Sequence, residues 1–146
     1  MKYDAYDSEK WNKEFFDKDN GGYFVVDKQR IEQGKVSKNE KAKYEKEFDM
    51  CMTLAKYGYK VEYLKMTDGG FDIYLNGVSA DLKKTASHNN ILDYAKKATR
   101  EQGAKIVVFE LGKDTREIQA ELEKLKRMKI SVCYYFSNNK GKIHTL

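Results

Sequence analysis

The 146-residue sequence contains no proline, only two cysteines and only two histidines. The missing proline rules out a stiff polyproline spacer, and no low-complexity tract or internal repeat takes its place. Cys51 and Cys133 stand far apart, each among apolar neighbours. They are therefore expected as two buried free thiols rather than a disulfide. Two histidines and two cysteines at no ligand spacing give no basis for a zinc cage. No apolar run approaches the ~18 residues of a membrane-spanning candidate. No apolar stretch follows Met1-Lys2-Tyr3-Asp4, so no secretory signal is expected and the cytoplasm is the default place of action.

The chain does have enough apolar residues for a core (40%), a densely charged surface (35% Asp, Glu, Lys and Arg) and a net charge of +5. The basic balance suits a polyanionic partner, because lysine and arginine bind phosphates with release of counterions. The length suits one domain.

Residues 1–36 read as an extension that packs on a core spanning 37–146. The extension carries Trp11, Phe15, Phe16, Tyr23 and Phe24, with a turn signal at Asp19-Asn20-Gly21-Gly22 and a possible short strand over 23–26. Ser37-Lys38-Asn39-Glu40 has the capping-box pattern and predicts a helix to about Tyr57, ended by Gly58. Three strands follow, over 59–64, 71–75 and 78–85, the last two joined by Asn76-Gly77, a strong two-residue hairpin signal. A second helix is predicted over 90–102. The apolar run over 105–111 predicts a strand buried on both faces. Asp114-Thr115-Arg116-Glu117 predicts a helix start with Asp114 as the cap, and strands are predicted over 131–136 and, after a turn at 138–141, over 142–146. The expected fold class is α/β: a three-layer αβα sandwich on a mixed sheet with an αβββαβ core.

The hairpin carries the chemistry. A two-residue loop at Asn76-Gly77 pairs Leu75 with Val78 and so sets Asp72 directly opposite Asp81. Opposed residues have Cβ atoms about 4.5–5.5 Å apart on one sheet face. Alternation puts Lys83 and Thr85 on the face of Asp81, while Phe71, Ile73, Leu75, Ala80 and Leu82 turn to the core. Two facing carboxylates repel, and strands disfavour Asp. A divalent cation, Mg²⁺ or Mn²⁺, turns that repulsion into coordination. The bland alternative is a pair of solvated aspartates shielded by Lys83.

An acidic strand residue, a hairpin and then Asp81-Leu82-Lys83 on the next strand resemble the PD-(D/E)xK nuclease superfamily. The resemblance implies that Asp72 and Asp81 hold the metal and that Lys83 assists the attacking water. It adds Glu47 as a third carboxylate, through the arrangement Glu47-x6-Leu54-x3-Gly58 on the first helix. Phe71 stands where the superfamily's name has proline. Segments 54–62, 76–85 and 102–108 look more specifically like C-terminal nuclease domains of contact-dependent growth-inhibition (CdiA-type) toxins and of phage and mobile-element polymorphic toxins. That likeness implies cleavage of tRNA, delivery into a target-cell cytoplasm and a cognate immunity protein.

Substrate contacts are expected from Thr85, from His88 at the mouth of the site, from Tyr74, from Lys84 at a rim, and from Lys97 and Arg100 on the second helix, where Tyr94 and Gln102 also resemble supporting residues. Structural readings stand beside each: His88 as a loop or capping residue, and the helix cations as a solvated face. Two other functions fit the same residues. One is a metal-free, barnase-like ribonuclease using His88, Lys83 and Thr85. The other is a non-catalytic nucleic-acid-binding module, which leaves the opposed aspartates unexplained.

Overall fold

In the computed structural model, which describes residues 2–146, Ser37 caps the long helix as its pattern predicts: its Oγ accepts from the Glu40 amide at 3.1 Å. The chain divides into two compact units, residues 1–68 with 72–77, and residues 69–71 with 78–146.

The first unit holds α1 (Lys2–Ala5), β1 (Trp11–Phe16), β2 (Tyr23–Asp27), α2 (Lys28–Gln33), α3 (Lys38–Tyr57), β3 (Lys60–Tyr63) and β4 (Ile73–Leu75). Strand β1 pairs antiparallel with β2, β2 parallel with β3, and β3 antiparallel with β4. The 1–36 segment therefore supplies two strands to this sheet, and the helices α1 and α2. The register pairs Phe24 with Val61 and Val61 with Leu75, and likewise Val26 with Tyr63 and Tyr63 with Ile73. All six side chains share one face and are buried. Helix α3 packs on β2 and β3, and Phe48 meets Phe24 with ring centroids 4.9 Å apart. The helix ends at Gly58, whose φ of 120° lies where an L side chain is strained. Gly22 approaches the same helix end so closely that a Cβ there would run into the Ala55 carbonyl oxygen.

The second unit holds β5 (Val78–Thr85), a 3-10 turn (His88–Asn90), α4 (Ile91–Arg100), β6 (Ile106–Leu111), α5 (Arg116–Arg127), β7 (Ser131–Phe136) and β8 (Asn139–Thr145). Strands β5, β6 and β7 run parallel, and β8 is antiparallel to β7. The parallel pairs are reached through α4 and α5, as crossovers require. Ile91, Ala95 and Ala98 of α4 and Ile118, Leu122 and Leu125 of α5 form one core with Val107, Phe109, Leu111 and Val132. Spacings of three and four residues put each helical set on one face.

Each unit is mixed α/β, and α3–β3–β4–β5–α4–β6 follow one another as the αβββαβ order predicts. Leu75 and Val78 are joined by Asn76 at φ 49° and Gly77 at φ 82°, the two positive values that a two-residue type I′ loop needs. Four expectations shift. Strand β4 starts at Ile73 rather than Phe71. Helix α4 ends at Arg100, before the Gly103 turn. The α5 cap is Thr115, whose Oγ1 accepts from the Ile118 amide at 3.2 Å; Asp114 instead accepts from the Gln119 side chain. Strand β8 begins at Asn139, paired with Phe136, so the turn is tighter than expected. Both cysteines are free and buried, as expected. No helix among the described residues is long and apolar enough to cross a membrane.

Candidate active site

In the second unit, β5 pairs with β6 so that Asp81 lies beside Val107 and Lys83 beside Phe109. Val107 and Phe109 pack in the core beneath α4 and α5, so alternation sends Asp81 and Lys83 to the helix-covered face. Asp81 is only 1% exposed. A solvated sheet face, the bland alternative for this residue, is thus excluded. Lys83 Nζ lies 2.9 Å from Asp81 Oδ2. Apart from that ion pair, neither Asp81 oxygen has a hydrogen-bond partner. A buried ionised carboxylate without partners costs several kcal/mol, and Lys83 offsets part of that.

Lys83 is itself held from α4 and from the turn that follows it. Its Nζ donates to Gln102 Oε1 at 3.3 Å and sits 5.7 Å from the centre of the Tyr94 ring. Ala95 and Ala98, both fully buried, let α4 come close to the sheet. The structure thus brings Asp81, Lys83, Tyr94 and Gln102 together in one cluster.

The first unit holds the other two candidate carboxylates. Glu47 on α3 is buried. Its Oε1 accepts from the Tyr63 hydroxyl at 2.8 Å and lies 3.6 Å from Arg30. Arg30 is 0% exposed and its guanidinium lies against the Tyr63 and Tyr44 rings, at 5.0 and 5.3 Å. Burial and the nearby Glu47 charge push the Tyr63 hydroxyl far above its ordinary value. Asp72 is half-buried at the lead-in to β4, and its carbonyl accepts from the Leu64 amide at 3.1 Å. Glu47 and Asp72 both act on the Cys51 thiol, which burial first, then Glu47 and then Asp72 push well up. Asp72 falls in the first unit and Asp81 in the second.

The remaining candidates scatter. The Thr85 hydroxyl is taken up locally, accepting from the Ser87 amide at 3.1 Å and donating to its carbonyl at 3.2 Å. This fits loop closure better than a phosphate contact. His88 is half-buried and opens the 3-10 turn. Lys97 and Arg100 are exposed on α4, and Tyr74 is exposed on β4 beside Glu62. Lys84 lies on the opposite side of β5 from Lys83 and pairs with buried Glu110 at 3.2 Å.

Sequence reasoning missed Arg30 and Glu110. Glu110 accepts from the Tyr135 and Ser137 hydroxyls at 3.0 and 2.7 Å. Its signal was a single acid inside an otherwise apolar strand. Arg30, in a polar-looking helix after β2, gave no such signal.

Among the described residues, no three His, Cys, Asp or Glu side chains gather into a group that could hold a metal. Mg²⁺ sites need less than that: one or two carboxylates, with water and substrate phosphate completing the shell. Asp81 fits such a role by its chemistry. It is a hard oxygen donor, buried, with no hydrogen bonds to give up.

Residues 70–140 match the family profile of the contact-dependent growth inhibition CdiA C-terminal domain. The matched stretch takes in Asp72, Asp81, Lys83, Tyr94 and Gln102 and leaves out Arg30 and Glu47. Among solved structures, the chain is similar to one from the CdiA-CT/CdiI toxin and immunity complex of Burkholderia pseudomallei. The likeness has a TM-score of 0.56 and 18% identity, over 77% of this chain and 89% of that one. At that identity it is a likeness of fold. No curated protein matches the sequence.

Proposed function

We propose that the chain is a toxin nuclease that hydrolyses phosphodiester bonds of RNA, tRNA in particular, with a divalent cation held at Asp81. The observation that carries this reading is the buried Asp81 carboxylate, free of hydrogen bonds, with Lys83 2.9 Å away. A purely structural ion pair would be expected to satisfy the remaining lone pairs. The profile match over residues 70–140 supports the toxin context.

Asp81 holds the cation through its oxygens. The hairpin register expected from the sequence makes Asp72 a proposed metal ligand as well, in the manner of PD-(D/E)xK enzymes. When bound, Mg²⁺ or Mn²⁺ supplies positive charge to the phosphate oxygens and lowers the pKa of a water. Lys83, 2.9 Å from Asp81, would set its ammonium against the negative charge that builds up on the reacting phosphate. Gln102 accepts from Lys83 and fixes its direction, and the Tyr94 ring keeps its surroundings partly dry. Glu47 is committed through Oε1 to Tyr63 and Arg30, which leaves Oε2 as the atom of a proposed metal ligand. A toxin needs neutralising in its producer, and the similar solved structure is of a toxin and immunity complex. The same kind of partner is proposed here.

Incubation of the purified chain with total tRNA and with plasmid DNA, with Mn²⁺ and after thorough chelation, tests the reading. The expected result is Mn²⁺-dependent cutting of tRNA. Cleavage that survives chelation would replace it with the metal-free ribonuclease reading.

A further inference from the structure

The 1–36 segment does more than complete a sheet. With β3 and the end of β4 it forms an open cleft of about 830 Å³ lined by Lys2, Tyr6, Tyr23, Lys60, Glu62, Asn76 and Gly77, all in the first unit. The size falls within the roughly 300–1,000 Å³ of small-ligand sites.

Its polar groups are pre-arranged. The Tyr6 and Tyr23 hydroxyls are hydrogen-bonded at 3.0 Å, and the Glu62 charge acts on Tyr6. Burial first, and those two partners after it, raise the Tyr6 hydroxyl well above its ordinary value. The Tyr6 ring is fixed from its other side by Trp11, edge-on at 5.5 Å. Asn76 is locked to β3: its amide nitrogen donates to the Lys60 carbonyl and its Oδ1 accepts from the Lys60 amide, both at 2.8 Å. Its side-chain NH₂ is left as a donor. Lys2 and Lys60 are exposed cations at the rim.

An anchored tyrosine, an amide donor, a carboxylate acceptor and two rim lysines match the parts of one ribonucleotide. The ring takes a base face, Asn76 a base edge, Glu62 a ribose hydroxyl and the lysines the phosphate. Asp72 and Asn76 are four positions apart along the chain, roughly 13 Å at about 3.3 Å per residue. Tyr74, 36% exposed, stands between them.

We propose that this cavity is a ribonucleotide subsite, holding one unpaired nucleotide of an RNA strand. The inference rests on the nuclease reading for its substrate class, and its test does not use cleavage. A fluorescein-labelled, mixed-sequence RNA hexamer is titrated by anisotropy in EDTA against the full chain. Tyr6→Leu is expected to weaken binding about tenfold, the scale of a lost base–aromatic stack. Tyr6→Phe keeps the ring and is expected to stay within about threefold of wild type, a rescue that a purely structural tyrosine tethered by its hydroxyl would not give. Lys60→Gln is expected to flatten the log–log salt slope by about 0.7. The matching DNA hexamer, lacking the 2′-hydroxyl, is expected to bind at least several-fold more weakly, a gap that Glu62→Gln narrows.

If Tyr6→Leu does not fold, as judged by circular dichroism, the exposed Lys60→Gln and the charge-removing, near-isosteric Glu62→Gln decide the matter. Equal affinity across these variants, or no RNA binding by the wild type, overturns the proposal. Unchanged RNA affinity with lost neutralisation by a cognate immunity protein would assign the cavity to a protein partner instead, and also overturns it. Cutting with an idle cavity would sink this inference alone. A working cavity in a chain that never cuts would sink only the nuclease reading.

Discussion

Glu47→Ala should destabilise the protein strongly, whatever it does to catalysis. Arg30 is wholly buried, Glu47 stands 3.6 Å away, and no guanidinium nitrogen makes a hydrogen bond. Removing the carboxylate leaves a buried positive charge with only the Tyr44 and Tyr63 rings against it. Breaking a buried pair from one side costs about 3–5 kcal/mol. The Tyr63 hydroxyl loses its acceptor in the same step. At about 3 °C per kcal/mol for a chain of this size, the expected fall in Tm is roughly 10–15 °C. Replacing both partners with apolar side chains, Arg30→Met with Glu47→Leu, should recover most of the loss, because no charge is stranded. Thermal melts of the wild type, the single variants and the double variant measure this directly. A Glu47→Ala shift of under about 3 °C, or a double variant no more stable than the single one, would refute the reasoning. The result also decides how a dead Glu47 variant is read: lost cleavage at a temperature where the protein is unfolded says nothing about a metal ligand.

Two further outcomes follow from the packing. Gly22→Ala places a methyl against the Ala55 carbonyl at the end of α3, and a loss of about 2 kcal/mol or more is expected in denaturant melts. Stability should also fall in alkali. The folded state raises the Cys51 thiol above its ordinary value of 9.0, so the folded protein keeps a proton that the unfolded chain releases. The contribution is complete below pH 9 and shrinks as pH rises toward the folded value, by up to about 1.4 kcal/mol per pH unit. Cys51→Ala should flatten the alkaline limb of a stability–pH curve, and an unchanged limb would contradict the assignment.

The elements that showed in the sequence are those with local signals. Ser37 with Glu40 opened α3, Asn76-Gly77 made the two-residue loop, and the apolar run became β6. Asp81 and Lys83 were legible because strand alternation fixes which side chains share a face. What stayed hidden depends on distant partners. Strand β1 has no alternation to read, since its residues are half-buried or exposed throughout and its register shifts between Lys13 and Phe15. Arg30 is buried by Tyr44, Glu47 and Tyr63, none of them near it in sequence. Glu47 was picked out as a metal ligand, and its partnership with Arg30 was invisible for the same reason. At α5, Asp114 and Thr115 are both good caps, and only the backbone chose between them.

The most direct measurement is the single-turnover rate of tRNA cleavage in Mn²⁺ by the wild type, Asp81→Asn and Lys83→Met, each checked by circular dichroism for an intact fold. A loss of at least about 10²-fold in both variants is expected from removing a metal ligand and a charge-stabilising cation. A folded Asp81→Asn or Lys83→Met protein that cuts at the wild-type rate would contradict the assignment of this pair to the chemistry.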